Sequence, residues 1–120
     1  MHVLIIEDEA LLALDLQCFL EELGADSCSL AETEHEAVQL ALNRPPDLIT
    51  ADVNLRDGTG PAAVDAIRSS IGPVPVVYIT GSKAEDIAVD DRTHLVKKPI
   101  LWLELVEAVE PFDLPRQIAH

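Results

Sequence analysis

Five short apolar runs, separated by helical or turn-forming segments, are the feature that most constrains the fold of this chain. Each run has the length of a strand and ends at turn or charged residues, which is typical of strands buried in a sheet. Strands separated by helices form a parallel sheet that is covered on both faces. The predicted strands are His2–Ile6, Asp26–Leu30 (the weakest, expected at a sheet edge), Leu48–Ala51, Val74–Ile79 and His94–Val96.

The segments between these runs carry helical patterns. The segment Lys83–Asp91 has few apolar residues, so a helix there would be short or irregular. We therefore predict an α/β, flavodoxin-like (βα)5 doubly wound parallel sheet with strand order 2-1-3-4-5. The other helices are predicted at Glu9–Leu23, after a capping-box pattern of Thr33 and Glu36, from about Pro61, and at Leu101–Val109.

Some apolar residues lie outside the main pattern. Leu11, Leu14 and Cys18 lie off the inward stripe of the first helix, which fits either ordinary packing or a surface for a partner. Cys18 and Cys28 have no metal-like spacing and lie in apolar segments. We therefore expect both to be buried free thiols.

The length and charge of the chain exclude several classes of protein. A chain of 120 residues suits one domain, which we assign to residues 1–110, with residues 111–120 as a short C-terminal tail. A formal charge of −14 argues against direct binding of nucleic acid. No apolar run approaches the ~20 residues of a membrane span, and no secretion signal pattern precedes the first strand. These features predict a cytoplasmic location without membrane contact.

Polar residues follow four of the predicted strands. Because the carboxyl ends of parallel strands lie at one edge of a sheet, we expect these residues to meet there. Each alone has an ordinary interpretation, such as a solvated acidic turn or an aspartate that caps a turn. The residues are Glu7 and Asp8 after the first strand, Asp52 after the third, Thr80 and Gly81 after the fourth, and Lys98 before Pro99 after the fifth.

Such a group of residues favours one chemistry. Three neighbouring carboxylates repel one another unless a cation lies among them, and oxygen ligands without His or Cys suit Mg²⁺. The simplest reaction is phosphoryl transfer to Asp52 as the nucleophile. The predicted metal ligands are Glu7, Asp8, Asp52 and the backbone carbonyl of Asn54, and the predicted phosphoryl-binding residues are Thr80, Gly81 and Lys98, of which Lys98 and Thr80 also assist the transfer.

The motifs that contain these residues resemble those of the receiver domain of two-component response regulators, in the CheY-like superfamily. They are VLIIEDE, DLITADVNLRDG, VVYITGS and VKKP, and the similarity covers about residues 2–110. Lys98, rather than Lys97, directly precedes the proline as in the family's motif. The resemblance implies a Mg²⁺-dependent phosphoacceptor and not an enzyme, with a histidine kinase or histidine phosphotransfer protein as donor. It also implies a downstream protein target, and a surface on the last helix and strand through which a homodimer could form.

Two features depart from the usual pattern of that family. Leu95 stands three positions before the motif lysine, where an aromatic residue usually couples to Thr80, and the segment between Thr80 and Lys98 is shorter by about one helical turn. Together with the run Tyr78–Gly81, these features resemble the "FATGUY" subgroup of mostly alphaproteobacterial receivers. That subgroup implies stress-response phosphorelays and output through protein contacts.

Two other classes of function compete with a phosphoacceptor. A pseudo-receiver would bind partners without being phosphorylated, but the presence of Asp52, Thr80 and Lys98 argues against it. An aspartyl-phosphate hydrolase usually has a second acid at the position of Asn54. A flavin protein needs a phosphate-binding loop after the first strand, where Glu7–Glu9 would repel phosphate. The sequence therefore favours a receiver that is phosphorylated on Asp52.

Overall fold

The computed structural model describes residues 1–81, 87 and 89–112, in which five parallel strands form one sheet. The strand order is β2-β1-β3-β4-β5, so the prediction of a flavodoxin-like doubly wound fold is confirmed. The elements are β1 (His2–Ile6), α1 (Ala10–Leu23), β2 (Ser27–Ala31), α2 (Glu34–Asn43), β3 (Leu48–Asp52), α3 (Gly60–Ile71), β4 (Val76–Thr80), β5 (Thr93–Lys97), α4 (Trp102–Val109) and a final 3-10 turn (Glu110–Phe112).

The helices cover both faces of this sheet. One core forms where α1 and α4 pack, around Leu16, Leu20 and Leu105. The other forms under α2 and α3, around Ala37 and Ile67. The three central strands are therefore buried on both faces, which explains why β1, β3 and β4 read as continuous apolar runs.

Local sequence signals set the starts of two helices. The Thr33 hydroxyl accepts a hydrogen bond from the Glu36 amide (3.1 Å) and caps α2 as predicted. The Glu36 carboxylate reaches one residue further back than a capping box requires and accepts from the Glu32 amide (2.7 Å). Thr59 caps α3 through the Ala62 amide (3.2 Å), with Pro61 in the first turn.

Two expectations about position need correction. β4 begins at Val76 rather than Val74, because the Val74 amide bonds to the Gly72 carbonyl (2.8 Å) in a turn before Pro75. Cys18 is exposed and Cys28 half-buried, so burial of both thiols was wrong, although both are free. Burial raises the pKa of the Cys28 thiol to about 11, and the charge of Glu21 adds to this effect.

The apolar residues outside the inward stripe of α1 face solvent. Leu11 is 79% exposed and Leu14 is 50% exposed, so the packing interpretation of these residues was wrong. The predicted irregular segment Lys83–Asp91 and the predicted tail at 111–120 fall largely outside the described residues. Among the helices that the structure does describe, none has the length and apolar character needed to cross a bilayer.

Candidate functional site

The carboxyl ends of β1 and β3 bring three carboxylates together. β1 and β3 are paired neighbours in which Ile6 lies beside Ala51, so the residues that follow each of them emerge side by side. One ligand oxygen from each of Glu7, Asp8 and Asp52 lies within 4.8 Å of the others. The structure therefore places the three predicted acidic metal ligands in one cluster.

Glu7 is the most deeply buried member of this cluster, at 2% exposure. Its Oε2 accepts a hydrogen bond from the Glu9 amide (3.0 Å), whereas its Oε1 has no hydrogen-bond partner among the described residues. Burial raises the pKa of Glu7 to about 7; the charge of Asp52 adds to the rise, and the Glu9 amide and Lys98 oppose it. A buried carboxylate oxygen without a donor is suited to a cation.

Lys98 places a positive charge beside Glu7 and Asp52. Its Nζ lies 3.0 Å from Asp52 Oδ2 and 3.6 Å from Glu7 Oε1. Burial alone would lower the pKa of Lys98, but the hydrogen bond to Asp52 and the charges of Glu7 and Asp52 outweigh it, so the pKa is raised. The neighbouring Lys97 is exposed. The structure thus places Lys98, the lysine that precedes the proline, against Asp52.

Thr80 and Gly81 end the strand between Asp52 and Lys98. Thr80 is buried, and its carbonyl accepts a hydrogen bond from the Lys98 amide (2.7 Å), which joins the ends of β4 and β5. Gly81 is exposed, and a Cβ built on it would lie 3.6 Å from the Lys98 side chain, an ordinary contact. Packing therefore does not require glycine at this position. Leu95 is half-buried on β5 beside Tyr78, on the sheet face that α2 and α3 cover.

The loop after Asp52 folds back against the cluster. The Asn54 amide donates to Asp52 Oδ1 (3.2 Å), which orients the carboxylate. Gly60 lies so close to β3 that an added Cβ would come 2.0 Å from the Asp52 carbonyl oxygen, so only glycine fits there. The role of the Asn54 carbonyl as a metal ligand stays a prediction.

Two contacts near the site had no signal in the sequence. Arg56 contacts Asp8 through its backbone amide, which donates to Asp8 Oδ2 (2.7 Å), and through its guanidinium, which donates to the Asp8 carbonyl (3.3 Å). Glu34, at the start of α2, accepts a hydrogen bond from the Thr59 amide (3.2 Å). Both contacts depend on the path of the loop, which no periodic pattern in the sequence specifies.

The donor set of the cluster suits a hard divalent cation. It offers carboxylate oxygens only, and one buried oxygen of Glu7 lacks a hydrogen-bond donor within the described part of the chain. Mg²⁺ prefers such oxygens, whereas zinc prefers nitrogen and sulfur ligands. The residues present therefore fit Mg²⁺ on chemical grounds.

Comparisons with known proteins point to one family. The sequence model of the response regulator receiver domain matches residues 3–110. The phyllosphere-induced regulator PhyR of Methylorubrum extorquens is 42% identical over 82 residues, which are 66% of this chain and 30% of PhyR. The chain thus spans less than a third of the length of that relative.

Solved structures agree with the sequence match. The receiver domain of PhyR from Erythrobacter litoralis superposes with a TM-score of 0.82 at 28% identity, over 99% of this chain and 94% of that one. A mutant of the anti-anti-sigma factor PhyR from Bartonella quintana gives a TM-score of 0.76 at 34% identity, over 94% of this chain and 48% of that one. These PhyR matches fit the alphaproteobacterial subgroup indicated by the Tyr78–Gly81 run. The chain belongs to the response regulator receiver domain family.

Proposed function

We propose that Asp52 accepts a phosphoryl group from a phosphohistidine in a Mg²⁺-dependent phosphorelay. The observation that carries this proposal is the position of the Asp52 carboxylate, which lies 3.0 Å from the Lys98 ammonium and has an oxygen within 4.8 Å of oxygens of Glu7 and Asp8. An acceptor carboxylate with a cation on one side and a cation-binding acidic pair on the other is arranged for charge that moves onto it.

The proposed reaction uses the side chains in a simple order. A carboxylate oxygen of Asp52 attacks the phosphorus, the P–N bond to the donor histidine breaks, and the leaving imidazole nitrogen takes up a proton. Lys98 exchanges part of its ion pair with Asp52 for a phosphoryl oxygen, and the Thr80 hydroxyl binds another. Gly81, which carries no side chain, leaves the approach to these groups open.

Receiver domains generally bind Mg²⁺ at an acidic pocket, and the structure has such an acidic cluster. We propose Glu7, Asp8, Asp52 and the Asn54 carbonyl as the residues that would hold the ion here. When bound, Mg²⁺ supplies positive charge that offsets the repulsion between the phosphoryl group and the carboxylates. The buried Oε1 of Glu7, which has an ion-pair contact with Lys98 but no hydrogen-bond donor among the described residues, supports this assignment.

Receiver domains are generally signalling modules rather than enzymes, and they interact with a phosphodonor and with downstream partners. We propose a histidine kinase or histidine phosphotransfer protein as donor to a cytoplasmic module of residues 1–110, with residues 111–120 as a tail. The exposed Leu11 and Leu14 of α1 offer an apolar surface for a protein partner. Because one PhyR relative is an anti-anti-sigma factor, we propose output through protein contacts of that kind. A homodimer through α4 and β5 is a further proposal.

Intact-mass spectrometry tests the phosphoacceptor directly. The chain is incubated with Mg²⁺ and acetyl phosphate, and the expected result is a gain of one phosphoryl group that Asp52→Asn abolishes. Asp65→Asn removes an exposed aspartate on α3 and serves as the matched control, which should still be phosphorylated. No added phosphoryl on the wild-type chain, or the same addition on Asp52→Asn, would overturn the proposal. The first outcome would favour a pseudo-receiver that binds partners without phosphorylation.

A further inference from the structure

The loop between β3 and α3 rests on Glu34, a residue of α2 that no motif singled out. Glu34 Oε1 accepts a hydrogen bond from the Thr59 amide (3.2 Å), and the Glu34 amide donates to the Asp57 carbonyl (3.2 Å). One residue of α2 thus bonds to the loop as acceptor and as donor. An ionised carboxylate in the first turn of a helix is also favoured by the helix dipole.

The fit around Gly58 is a second, independent sign that the loop is seated on this residue. Gly58 has a φ of +90°, a conformation that favours glycine. A Cβ built on it would come 2.4 Å from the Glu34 Cβ and 2.5 Å from Oε1. The loop therefore passes directly against the Glu34 side chain, with no room for a larger residue between them.

The contact with Glu34 is linked to the metal site by the backbone of the loop. Thr59 forms an isolated antiparallel bridge with Asn54, whose amide bonds to Asp52 Oδ1 (3.2 Å) and whose carbonyl is a proposed metal ligand. Fixing Thr59 against α2 therefore restricts where the Asn54 peptide can lie. On the other side of the loop, the Arg56 amide bonds to Asp8.

We propose that Glu34 is a positioning residue for the metal site: it holds Thr59 so that the Asn54 carbonyl is preorganised for Mg²⁺. This inference rests on the proposed function, since it assumes that Mg²⁺ binds among Glu7, Asp8 and Asp52. Preorganisation lowers the cost of ordering a ligand when the ion binds. Glu34 does not touch the ion, so its contribution acts through the loop.

Isothermal titration calorimetry with Mg²⁺ on three variants of the full chain tests this proposal. Glu34→Ala removes the acceptor and should raise the Kd for Mg²⁺ about five-fold, the effect of losing one hydrogen bond. Glu34→Gln keeps an oxygen that accepts from Thr59 and should stay within about two-fold of the wild-type chain. Glu36 lies in the same helical turn and carries the same charge as Glu34, but its carboxylate contacts the Glu32 amide instead of the loop. The matched control is therefore Glu36→Ala. It should lower Tm and leave the Kd within about two-fold.

Amide hydrogen exchange supplies a second measurement that needs no metal. The Thr59 amide should exchange faster in Glu34→Ala than in the wild-type chain, and at the wild-type rate in Glu36→Ala. The inference is overturned if Glu34→Ala binds Mg²⁺ as tightly as Glu36→Ala, or if Glu34→Gln weakens binding as much as Glu34→Ala, because the effect would then come from charge. If the wild-type chain does not bind Mg²⁺, the proposed metal site fails and this inference fails with it. Unchanged affinity in Glu34→Ala alone overturns only the role of Glu34.

Discussion

Polar side chains at the two ends of the sheet differ in how completely they are hydrogen-bonded. At the amino edge, where the strands begin, the ring nitrogens of His2 lie 2.8 Å from the Ser27 hydroxyl and 3.0 Å from the Ser29 hydroxyl. Arg68 reaches the same edge from α3 and donates to the carbonyls of Val74 (3.0 Å) and Arg92 (2.9 Å). The buried His2 and the half-buried Arg68 thus each have partners that suit their hydrogen-bonding capacity.

At the carboxyl edge, where the strands end, the charged side chains are only partly paired. Glu7 and Asp52 share the half-buried Lys98, the exposed Arg56 lies near Asp8, and one oxygen of Glu7 has no hydrogen-bond donor among the described residues. Satisfied polar groups hold a fold together, whereas crowded and incompletely paired charges are costly until a ligand completes them. The difference agrees with a stabilising role for the amino edge and with the proposed cation and phosphoryl site at the carboxyl edge.

The largest difference between the two edges should appear when the cationic side chain of each edge is removed, Lys98 at the carboxyl edge and Arg68 at the amino edge. Lys98→Ala should slow phosphorylation of Asp52 by acetyl phosphate at least about 100-fold, because it removes the preorganised positive charge beside the acceptor. Arg68→Ala should lower Tm by roughly 5 °C or more through lost hydrogen bonds, and leave the rate per folded molecule within about two-fold. Mass spectrometry at timed intervals measures the rates, and calorimetry measures Tm. Equal loss of rate in both variants would remove the functional distinction between the edges.

The same comparison shows how far the sequence could predict this molecule. The strands and the meeting of Glu7, Asp52 and Lys98 followed from apolar runs and from the rule that parallel strands end at one edge. The contacts of Arg56 with Asp8 and of Thr59 with Glu34 did not, because they join segments 48 and 25 residues apart through a loop of irregular path. Such contacts depend on backbone dihedral angles that glycines permit but do not specify.

The apolar pattern of the sequence also did not predict the surroundings of every side chain. Cys18 lies in an apolar stretch of α1 and was expected to be buried, yet it faces solvent, because Leu16 and Leu20 define the inward stripe. His2 was a scattered histidine with no assigned partner in the sequence. Its serine partners lie on β2, and only the register of β1 against β2 brings them to its ring.

In the absence of metal, Glu7 at the carboxyl edge should make the stability of the protein depend on pH. Its pKa is raised by burial from 4.5 to about 7, so the folded state holds a proton that the unfolded state has lost between these values. The stability that this proton provides is complete below about pH 4.5 and is lost as the pH rises to about 7. The free energy of unfolding should fall by about 3 kcal/mol across that range, at about 1.4 kcal/mol per pKa unit.

Urea denaturation in EDTA at several pH values measures this loss, and Glu7→Gln, which cannot ionise, should flatten it. Saturating Mg²⁺ should also flatten it, because the ion stabilises the ionised carboxylate in the folded state. Stability of the wild-type chain that rises between pH 5 and 7 in EDTA, with the same slope in Glu7→Gln, would contradict the raised pKa of Glu7.

His2, at the amino edge, should make a smaller contribution to the pH dependence of stability, with the opposite sign to that of Glu7. Burial, together with the charge of Arg44, lowers the pKa of His2 below 6.5, and Asp47 opposes the shift. The unfolded state then binds the proton more readily, so the stability that His2 provides is present above about pH 6.5 and is lost as the pH falls below it. Urea denaturation of His2→Gln should not show this loss of stability at low pH. His35→Gln, which changes an exposed position of α2, should still show it. Identical pH profiles for the two variants would show that His2 does not set this slope.

Arg56 offers the smallest and most specific test of the carboxyl edge. Its guanidinium lies near Asp8, with Nε 3.9 Å from Asp8 Oδ2, and the side chain is 80% exposed. A cation at this place opposes Mg²⁺ at the same carboxylate, so Arg56→Ala should lower the Kd for Mg²⁺ about two-fold at low salt. Arg56→Lys keeps the charge and the backbone amide that bonds to Asp8, and should bind Mg²⁺ like the wild-type chain. Since salt screens exposed charges, the gain in Arg56→Ala should vanish near 0.5 M ionic strength, estimated roughly from the Debye length. Weaker binding of Mg²⁺ by Arg56→Ala at low salt would mean that the side chain orders Asp8 more than it competes with the ion.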